Sequence, residues 1–180
     1  HKNVEDDEYF LQLDKNDLEK EFIYFAYVLN APQAAGVRGG AIGQGAVLEF
    51  RRFKDEIALF KKNTNFSNET DNNIGKADLT NIMEAFLDSF EVVVEEGESI
   101  VISVSDLFLS ETLTSVSPNL PREYRDFVDL DLGRLDDDKT FINQVRNYPK
   151  NTAIEVTFGF SNPKPNQRNA VYAVADARFT

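Results

Sequence analysis

The chain has 180 residues, and its 19 Lys and Arg against 31 Asp and Glu give a net charge of −12. This charge disfavours nucleic acid and anionic lipid as partners. With no Cys and a single His at position 1, the chain lacks the usual ligands of zinc and copper and the His base of triad hydrolases.

The first elements are predicted to be a strand, a polar turn and a second strand. Residues 9–13 have strand character, and residues 14–20 are polar enough for a turn or a single helical turn. Residues 21–30 are aromatic and β-prone, with apolar side chains at both odd and even positions. A strand of this kind is expected to be covered on both faces.

The next stretch, residues 31–45, contains Gly36, Gly39, Gly40, Gly43 and Gly45. It has neither a G-x-G-x-x-G spacing nor a Gly-Lys-Ser/Thr sequence, so the motifs that bind phosphate groups are missing. We interpret it as a mobile loop between two strands.

A hairpin is predicted where residues 46–53 and 56–62 flank Lys54 and Asp55, because two-residue spacing is typical of tight β-turns. The Asn-rich loop at 63–75 follows. It contains two acceptor sequences for N-glycosylation, at Asn65 and Asn68, which we attribute to chance in an Asn-rich segment.

Residues 78–90 give the clearest helical pattern in the chain. Their apolar positions recur at the spacing of one helix face, and Asp78 is a suitable N-cap. The predicted buried face consists of Leu79, Ile82, Met83, Phe86, Leu87 and Phe90.

The second half is predicted to contain a hairpin, a short helix and two final strands. The hairpin joins 91–96 to 99–104 around Gly97, and a loop follows at 117–121. The helix spans 138–148 and ends at Pro149, and the two strands, at 153–160 and 170–179, flank a loop at 161–169.

Together these elements predict an α+β, mainly β fold of about eight strands in predominantly antiparallel sheets, with two or three short helices. We expect one domain over residues 1–180, with a flexible segment at residues 1–8. The chain opens without Met or a signal peptide, and no apolar run approaches the roughly 20 residues that span a bilayer. We therefore expect a fragment of a longer protein with no membrane insertion.

The densest group of carboxylates lies between Asp126 and Asp138. Calcium takes oxygen ligands and would tolerate the absence of His and Cys, but the spacing does not match an EF-hand. The alternative is an acidic loop that complements the dipole of the helix predicted after it. The group comprises Asp126, Asp129, Asp131, Asp136, Asp137 and Asp138.

Glycosidase chemistry needs only two carboxylates, and an acidic chain always offers such pairs. The chain has no Trp for stacking on sugars, so a carboxylate-based hydrolase is disfavoured. We expect no catalytic residue, no cofactor-binding residue and no metal ligand in this chain.

Four stretches, at 20–36, 47–60, 100–111 and 133–156, together resemble one known family. They include IVISVSDLFLSE and GRLDDDKTFINQVRNYPKNTAIEV. The resemblance is to the domain of unknown function near the N-terminus of large bacterial zinc-dependent metalloproteases of the met-zincin type. The Val-x-Asp-Leu-Phe-Leu-like run and the later Arg-Leu-Asp-x-x-x-Thr-Phe-Ile segment carry it.

The resemblance implies a non-catalytic module, because the family's His-Glu-x-x-His zinc helix lies in a separate downstream domain. It implies an exported bacterial protein, secreted or periplasmic, whose downstream protease domain would be the partner of this chain. A peptide or protein substrate could also contact it. The alternative is an independent β-rich binding module for a polysaccharide or a protein partner.

Overall fold

The computed structural model describes residues 2–3, 8–31, 39–40, 42–64, 84–116, 132–162 and 176–179. In this part of the chain the fold is mainly β. Nine strands of four or more residues and two strands of two residues form two sheets, with one short helix and two 3-10 turns. The predicted antiparallel, mainly β class is confirmed.

The chain divides into two compact units. The first consists of His1–Phe25 and Gly45–Ser105, and the second of Ala26–Gln44 and Asp106–Thr180. The described part contains no helix that is both long enough and apolar enough to cross a membrane.

A seven-stranded sheet belongs mainly to the first unit. Its spatial order is β1-β2-β7-β6-β5-β4-β3, and a 3-10 turn at Lys15–Asp17 follows β2. The predicted hairpins around Lys54 and Gly97 are both present, as the pairs β4–β5 and β6–β7. The strands are β1 (Lys2–Asn3), β2 (Glu8–Asp14), β3 (Glu21–Tyr27), β4 (Ile42–Phe53), β5 (Glu56–Lys61), β6 (Ala85–Glu96) and β7 (Ser99–Ser103).

One face of this sheet, which we call the inner face, forms the core of the first unit. Cross-strand pairs such as Phe50–Leu59 and Ile57–Phe90 define it, because residues directly opposite each other share a face. The aromatic rings of Phe22 and Phe90 both contact the ring of Phe50. The fully buried side chains of the inner face are Leu48, Ile57, Leu59, Ile100 and Ile102.

The connection from β2 to β3 requires this sheet to curl. Five inter-strand steps of about 4.8 Å separate these strands in a flat sheet, a distance of about 24 Å. Only residues 15–20 connect them, and half of these form the 3-10 turn. Glu19 N also donates to Phe50 O at 2.8 Å, which holds the end of this connection against β4.

The predicted helix at 78–90 is wrong for residues 85–90, which form the first half of β6. Residues 78–83 lie outside the described part. A one-residue irregularity explains why a helix-like spacing occurs in this strand: Phe60 pairs with Phe86, but Leu59 pairs with Asp88, so Leu87 is an extra residue. Since a bulge reverses which face later residues point to, Phe90 is 5% exposed on the inner face and Phe86 is 56% exposed on the other.

The expectation that the strand at 21–30 is covered on both faces is also wrong. This strand, β3, is at the edge of the sheet, and only one of its faces packs inward. Phe22 stacks on Phe50 with ring centroids 5.2 Å apart, whereas Ile23, which points the opposite way, is 83% exposed. An apolar residue at every position therefore does not mean two buried faces here.

The second sheet belongs to the second unit and has β10 as its organising strand. β10 pairs antiparallel with β8, β9 and β11. The short helix α1 (Ser105–Leu109) precedes this sheet. The strands of the sheet are β8 (Arg134–Leu135), β9 (Phe141–Tyr148), β10 (Asn151–Ser161) and β11 (Asp176–Phe179).

The predicted helix at 138–148 is wrong, because Asp137–Lys139 forms a 3-10 turn and Phe141–Tyr148 is the strand β9. Its apolar positions point to both faces of a hairpin: Val145 faces Ile154, and Phe141 faces Thr157. Pro149 is indeed a stop, but it lies in the tight turn between two strands rather than at the end of a helix.

The predicted loop at 31–45 is wrong for its last residues, because β4 begins at Ile42 and includes Gly43 and Gly45. Several other predictions lie outside the described residues. These are most of the segment at 1–8, the glycosylation acceptors Asn65 and Asn68, the loop at 117–121, and parts of the loop at 161–169 and of the strand at 170–179.

Candidate interaction surface

The second face of the seven-stranded sheet, which we call the outer face, carries both an ion network and exposed apolar side chains. The strand register places side chains of this face in a row across the sheet. Glu49 of β4 lies opposite Phe60 of β5, and Phe60 lies opposite Phe86 of β6. Arg51 lies on the same face as Glu49, because it is two residues further along the strand.

Arg51 is the centre of the ion network. Its Nε donates to Glu49 Oε1, and its two terminal nitrogens donate to the two carboxylate oxygens of Glu84 at 2.5 and 3.1 Å. This bidentate geometry is the strong form of an Arg–carboxylate pair. The guanidinium carbon also lies 4.7 Å from the centroid of the Phe60 ring, so an aromatic face supports the cation.

Lys62 completes the network from the end of β5. Its Nζ lies 2.5 Å from Glu84 Oε1, 3.2 Å from Glu49 Oε2 and 3.7 Å from Glu21 Oε1. Glu49 is only 5% exposed and has both cations within contact distance, so its buried charge is compensated. The network therefore joins β3, β4, β5 and the residue that precedes β6.

These contacts shift the acid–base properties of all four groups that interact most closely. Hydrogen bonds, first from Arg51 and then from Lys62, lower the pKa of Glu84 to about 2. The Arg51 hydrogen bond also lowers the pKa of Glu49, although burial opposes this effect. The Glu84 hydrogen bond raises the pKa of Lys62, and the Glu49 hydrogen bond raises the pKa of Arg51.

The chemistry of the network is that of a structural clamp. A general acid works best with a pKa near neutral pH, but Glu84 and Glu49 are held in the ionised form. Each carboxylate oxygen that would act as a base instead accepts from Arg51 or Lys62. The arrangement fixes the strands and gives the outer face a charged centre.

Exposed apolar side chains flank this charged centre. Ile23 points outward from the edge strand β3, Phe86 is more than half exposed, and Phe53 lies on the outer face two residues beyond Arg51, with about half of its surface exposed. The Phe86 ring packs against Phe60 with centroids 5.7 Å apart, which orients it without burying it. The outer face thus combines oriented apolar groups with fixed charges.

A second polar cluster lies in the second unit, where the 3-10 turn meets β10. Ser161 Oγ donates to Asp136 Oδ2 at 2.5 Å and accepts from Lys139 Nζ at 2.5 Å, and the Ser161 hydrogen bond is the main cause of the lowered pKa of Asp136. Thr140 Oγ1 donates to Asp136 O and accepts from Gly159 N. Lys139 Nζ also lies 3.4 Å from Asp136 Oδ2, so Lys139 contacts both partners of the Ser161–Asp136 hydrogen bond.

The acidic group considered for calcium is only partly described. Asp126, Asp129 and Asp131 lie outside the described residues, Asp136 is engaged by Ser161 and Lys139, and Asp137 and Asp138 are exposed on the 3-10 turn. Among the described residues, no group of three or more His, Cys, Asp or Glu side chains could hold a metal ion. The predicted helix whose dipole the acidic residues would complement is absent, since a strand follows instead.

The ion network was not foreseen from the sequence, although part of its signal was present. Counting back from the two-residue turn at Lys54 and Asp55 places Glu49 opposite Phe60, so Lys62 at the end of the partner strand lies diagonally near Glu49. Glu84 could not be placed in this way, because the helical spacing of the residues after it favoured the wrong element.

The comparison with known proteins identifies a family for this chain. A family model described as a domain of unknown function, DUF5117, matches residues 39–178. No curated protein and no solved structure matches the chain significantly. The matched residues make up most of the chain and include β4 to β10 and most of β11, and the chain therefore belongs to the DUF5117 family.

Proposed function

We propose that this chain is a non-catalytic accessory domain that packs on a downstream protease domain of the same polypeptide. In this proposal the parent protein is a bacterial zinc metalloprotease that is secreted or periplasmic. The chain itself contributes no catalytic group. Its role is to assist folding of the protease domain or to position a peptide or protein substrate.

The outer face of the seven-stranded sheet is the observation that carries the proposal. Ile23, Phe53 and Phe86 expose apolar surface around a charged centre that is already fixed by ion pairs. Exposed apolar surface rimmed by polar residues is a mark of interaction sites on folded domains. Contacts between domains of one chain typically bury roughly 600–1,500 Å² and are more polar than a core, which suits a surface of this mixed character.

Two further points support an interaction role over a catalytic one. The carboxylates of Glu49 and Glu84 both accept hydrogen bonds from Arg51 and Lys62, and these contacts lower the pKa of each carboxylate. We therefore assign both groups a structural role. Three of the four sequence stretches that resemble the metalloprotease-associated domain lie within the matched residues. The sequence resemblance, rather than the sheet geometry, is the reason for proposing a protease domain as the partner.

The experiment uses the complete parent polypeptide with two substitutions on the outer face, Ile23→Ser and Phe86→Ser. We expect lower soluble yield, a lower melting temperature of the protease domain, or slower turnover of large protein substrates, with short peptide substrates affected less. Phe141→Ser is the matched control, because Phe141 is also an exposed apolar residue but lies in the second unit and not on the outer face.

The proposal fails if the double variant and a deletion of this chain both leave yield, melting temperature and turnover unchanged. An independent binding module for a polysaccharide or another protein would then be the better interpretation. Exposed aromatic side chains such as Phe53 and Phe86 would serve such a module as well. Binding of polysaccharides to the separate chain, lost in the Phe53→Ala variant, would support that alternative.

A further inference from the structure

The outer half of the β9–β10 hairpin forms an exposed arm in the second unit. All residues from 143 to 153 are exposed, and their described strand contacts are with each other across the hairpin. At about 3.3 Å per residue, the paired segment from Gln144 to Tyr148 is roughly 16 Å long. We call residues 144–154 the hairpin arm.

The charge of the hairpin arm contrasts with that of the whole chain. The net charge of the chain is −12, but the arm contains Arg146 and Lys150 and no Asp or Glu. Arg146 donates to the neutral side chain of Gln144 at 2.6 Å. No carboxylate of the described residues forms an ion pair with either cation, so within this part of the chain the arm presents two charges without a counter-charge in contact.

The two faces of the hairpin arm differ in chemistry. Arg146 and Tyr148 point to one face, because they are two residues apart on β9. Val145 points to the other face, where it is opposite Ile154. Arg and Tyr are among the residue types enriched at the energetic centres of protein interfaces, and the aliphatic pair suits contact with apolar side chains.

The hairpin arm is held in shape by side-chain contacts near its ends. Thr152 Oγ1 donates to Asn147 Oδ1 at 3.0 Å, and Asn143 Nδ2 donates to Thr157 Oγ1 at 2.9 Å. A two-stranded hairpin that protrudes alone is marginally stable in water. An arm of this kind gains stability when a partner covers both of its faces.

We propose that the hairpin arm inserts into a groove of a partner protein that has carboxylates on one wall and apolar side chains on the other. Charge complementarity carries this assignment, because the arm holds two cations and no carboxylate in a chain whose net charge is −12. An anionic polysaccharide is the competing partner. The arm disfavours it, because Tyr148 is the single aromatic residue of the arm that could stack on a sugar ring, and the aliphatic side chains of Val145 and Ile154 cannot form hydrogen bonds with sugar hydroxyl groups. The proposal does not depend on the protease assignment above.

The test is a titration of the isotope-labelled chain, followed by NMR, with a peptide of alternating Glu and Leu. A peptide of alternating Lys and Leu is the control for hydrophobic attraction alone. We expect chemical-shift changes confined to residues 144–154, slower amide hydrogen exchange there, and loss of both at high salt. The double variant Arg146→Gln and Lys150→Gln should bind on the order of fivefold more weakly, since two exposed ion pairs are removed.

Two matched variants keep the result interpretable. Lys54→Gln removes a cation from the turn of a different hairpin and should bind like the unmodified chain. Replacing residues 145–154 by a two-residue Asn-Gly turn preserves the Gln144–Glu155 pair and should abolish the response while the remaining spectrum stays unchanged.

The proposal is overturned if the shifts map elsewhere, if the Lys–Leu peptide gives the same response, or if the double variant binds normally. Tighter binding of the arm to polygalacturonate than to the Glu–Leu peptide would assign it to an anionic polysaccharide instead. These outcomes are independent of the outer-face variants, because those substitutions lie in the first unit.

Discussion

Substituting Glu84 by Gln tests whether the ion network stabilises the fold. The change keeps the size of the side chain but removes the charge that Arg51 and Lys62 both contact, at 2.5 Å in each case. Glu49 then remains as the nearest counter-charge for two cations. We expect the free energy of unfolding to fall at neutral pH.

The magnitude follows from the pKa of Glu84. A fall from 4.5 to about 2, at 1.36 kcal/mol per unit, corresponds to about 3 kcal/mol. The side chains of Glu84 and Arg51 are both 29% exposed, so solvent screening reduces the effect, and we expect about 1–2 kcal/mol. Because the pKa is lower in the folded state, this stabilisation is fully present above about pH 5 and is lost as the pH falls through about 2.

Urea unfolding of both proteins across this pH range provides the measurement. The difference between the unmodified chain and Glu84→Gln should be constant above pH 5 and should disappear towards pH 2. Glu96→Gln is the control, since Glu96 is exposed and forms no ion pair among the described residues. A difference that stays below about 0.3 kcal/mol at neutral pH, or one that persists unchanged at pH 2, would refute the clamp.

Three other predictions follow from packing and composition. Gly159→Ala should destabilise the fold by about 1–3 kcal/mol in urea unfolding, because the added Cβ would lie 2.4 Å from Lys139 Cβ. Gly45→Ala should be nearly neutral, because its added Cβ would have its nearest contact at 3.7 Å. Equal effects of the two substitutions would contradict this account. Phe90→Ala should cost about 3–5 kcal/mol and Phe86→Ala about 1 kcal/mol, since only Phe90 is buried, and the reverse order in chemical melts would disprove the register of β6. The purified chain, with any tag removed, should contain no stoichiometric zinc by elemental analysis, because no internal His or Cys is available; one zinc per chain would overturn this expectation.

The strands that were predicted well are those with clear turns. Lys54–Asp55 and Gly97 mark hairpins at the correct positions, and the strand predicted at 9–13 lies within β2. In each case, a short polar turn sequence between two apolar runs favours a tight antiparallel hairpin over other strand pairings. Local sequence therefore determined these pairings.

The two wrong helices share one physical cause. Residues 85–90 and 141–148 show apolar spacings of three and four, which a helix would gather on one face. In both regions the structure instead contains a strand with a one-residue irregularity, at Leu59/Phe60 against β6 and at Glu155/Val156 against β9. Such an insertion converts an alternating pattern into one of mixed spacing, and a single sequence does not distinguish the two.

The candidate surface depends on one of these irregularities. Glu84 and Phe86 are two residues apart and therefore share a face, and the extra residue Leu87 separates that face from the one occupied by Phe90. The bulge thus allows one strand to supply a core aromatic residue on the inner face and, four residues earlier, an exposed aromatic residue on the outer face. It also brings the Glu84 carboxylate to Arg51, so the ion network and the exposed apolar surface arise from the same register shift.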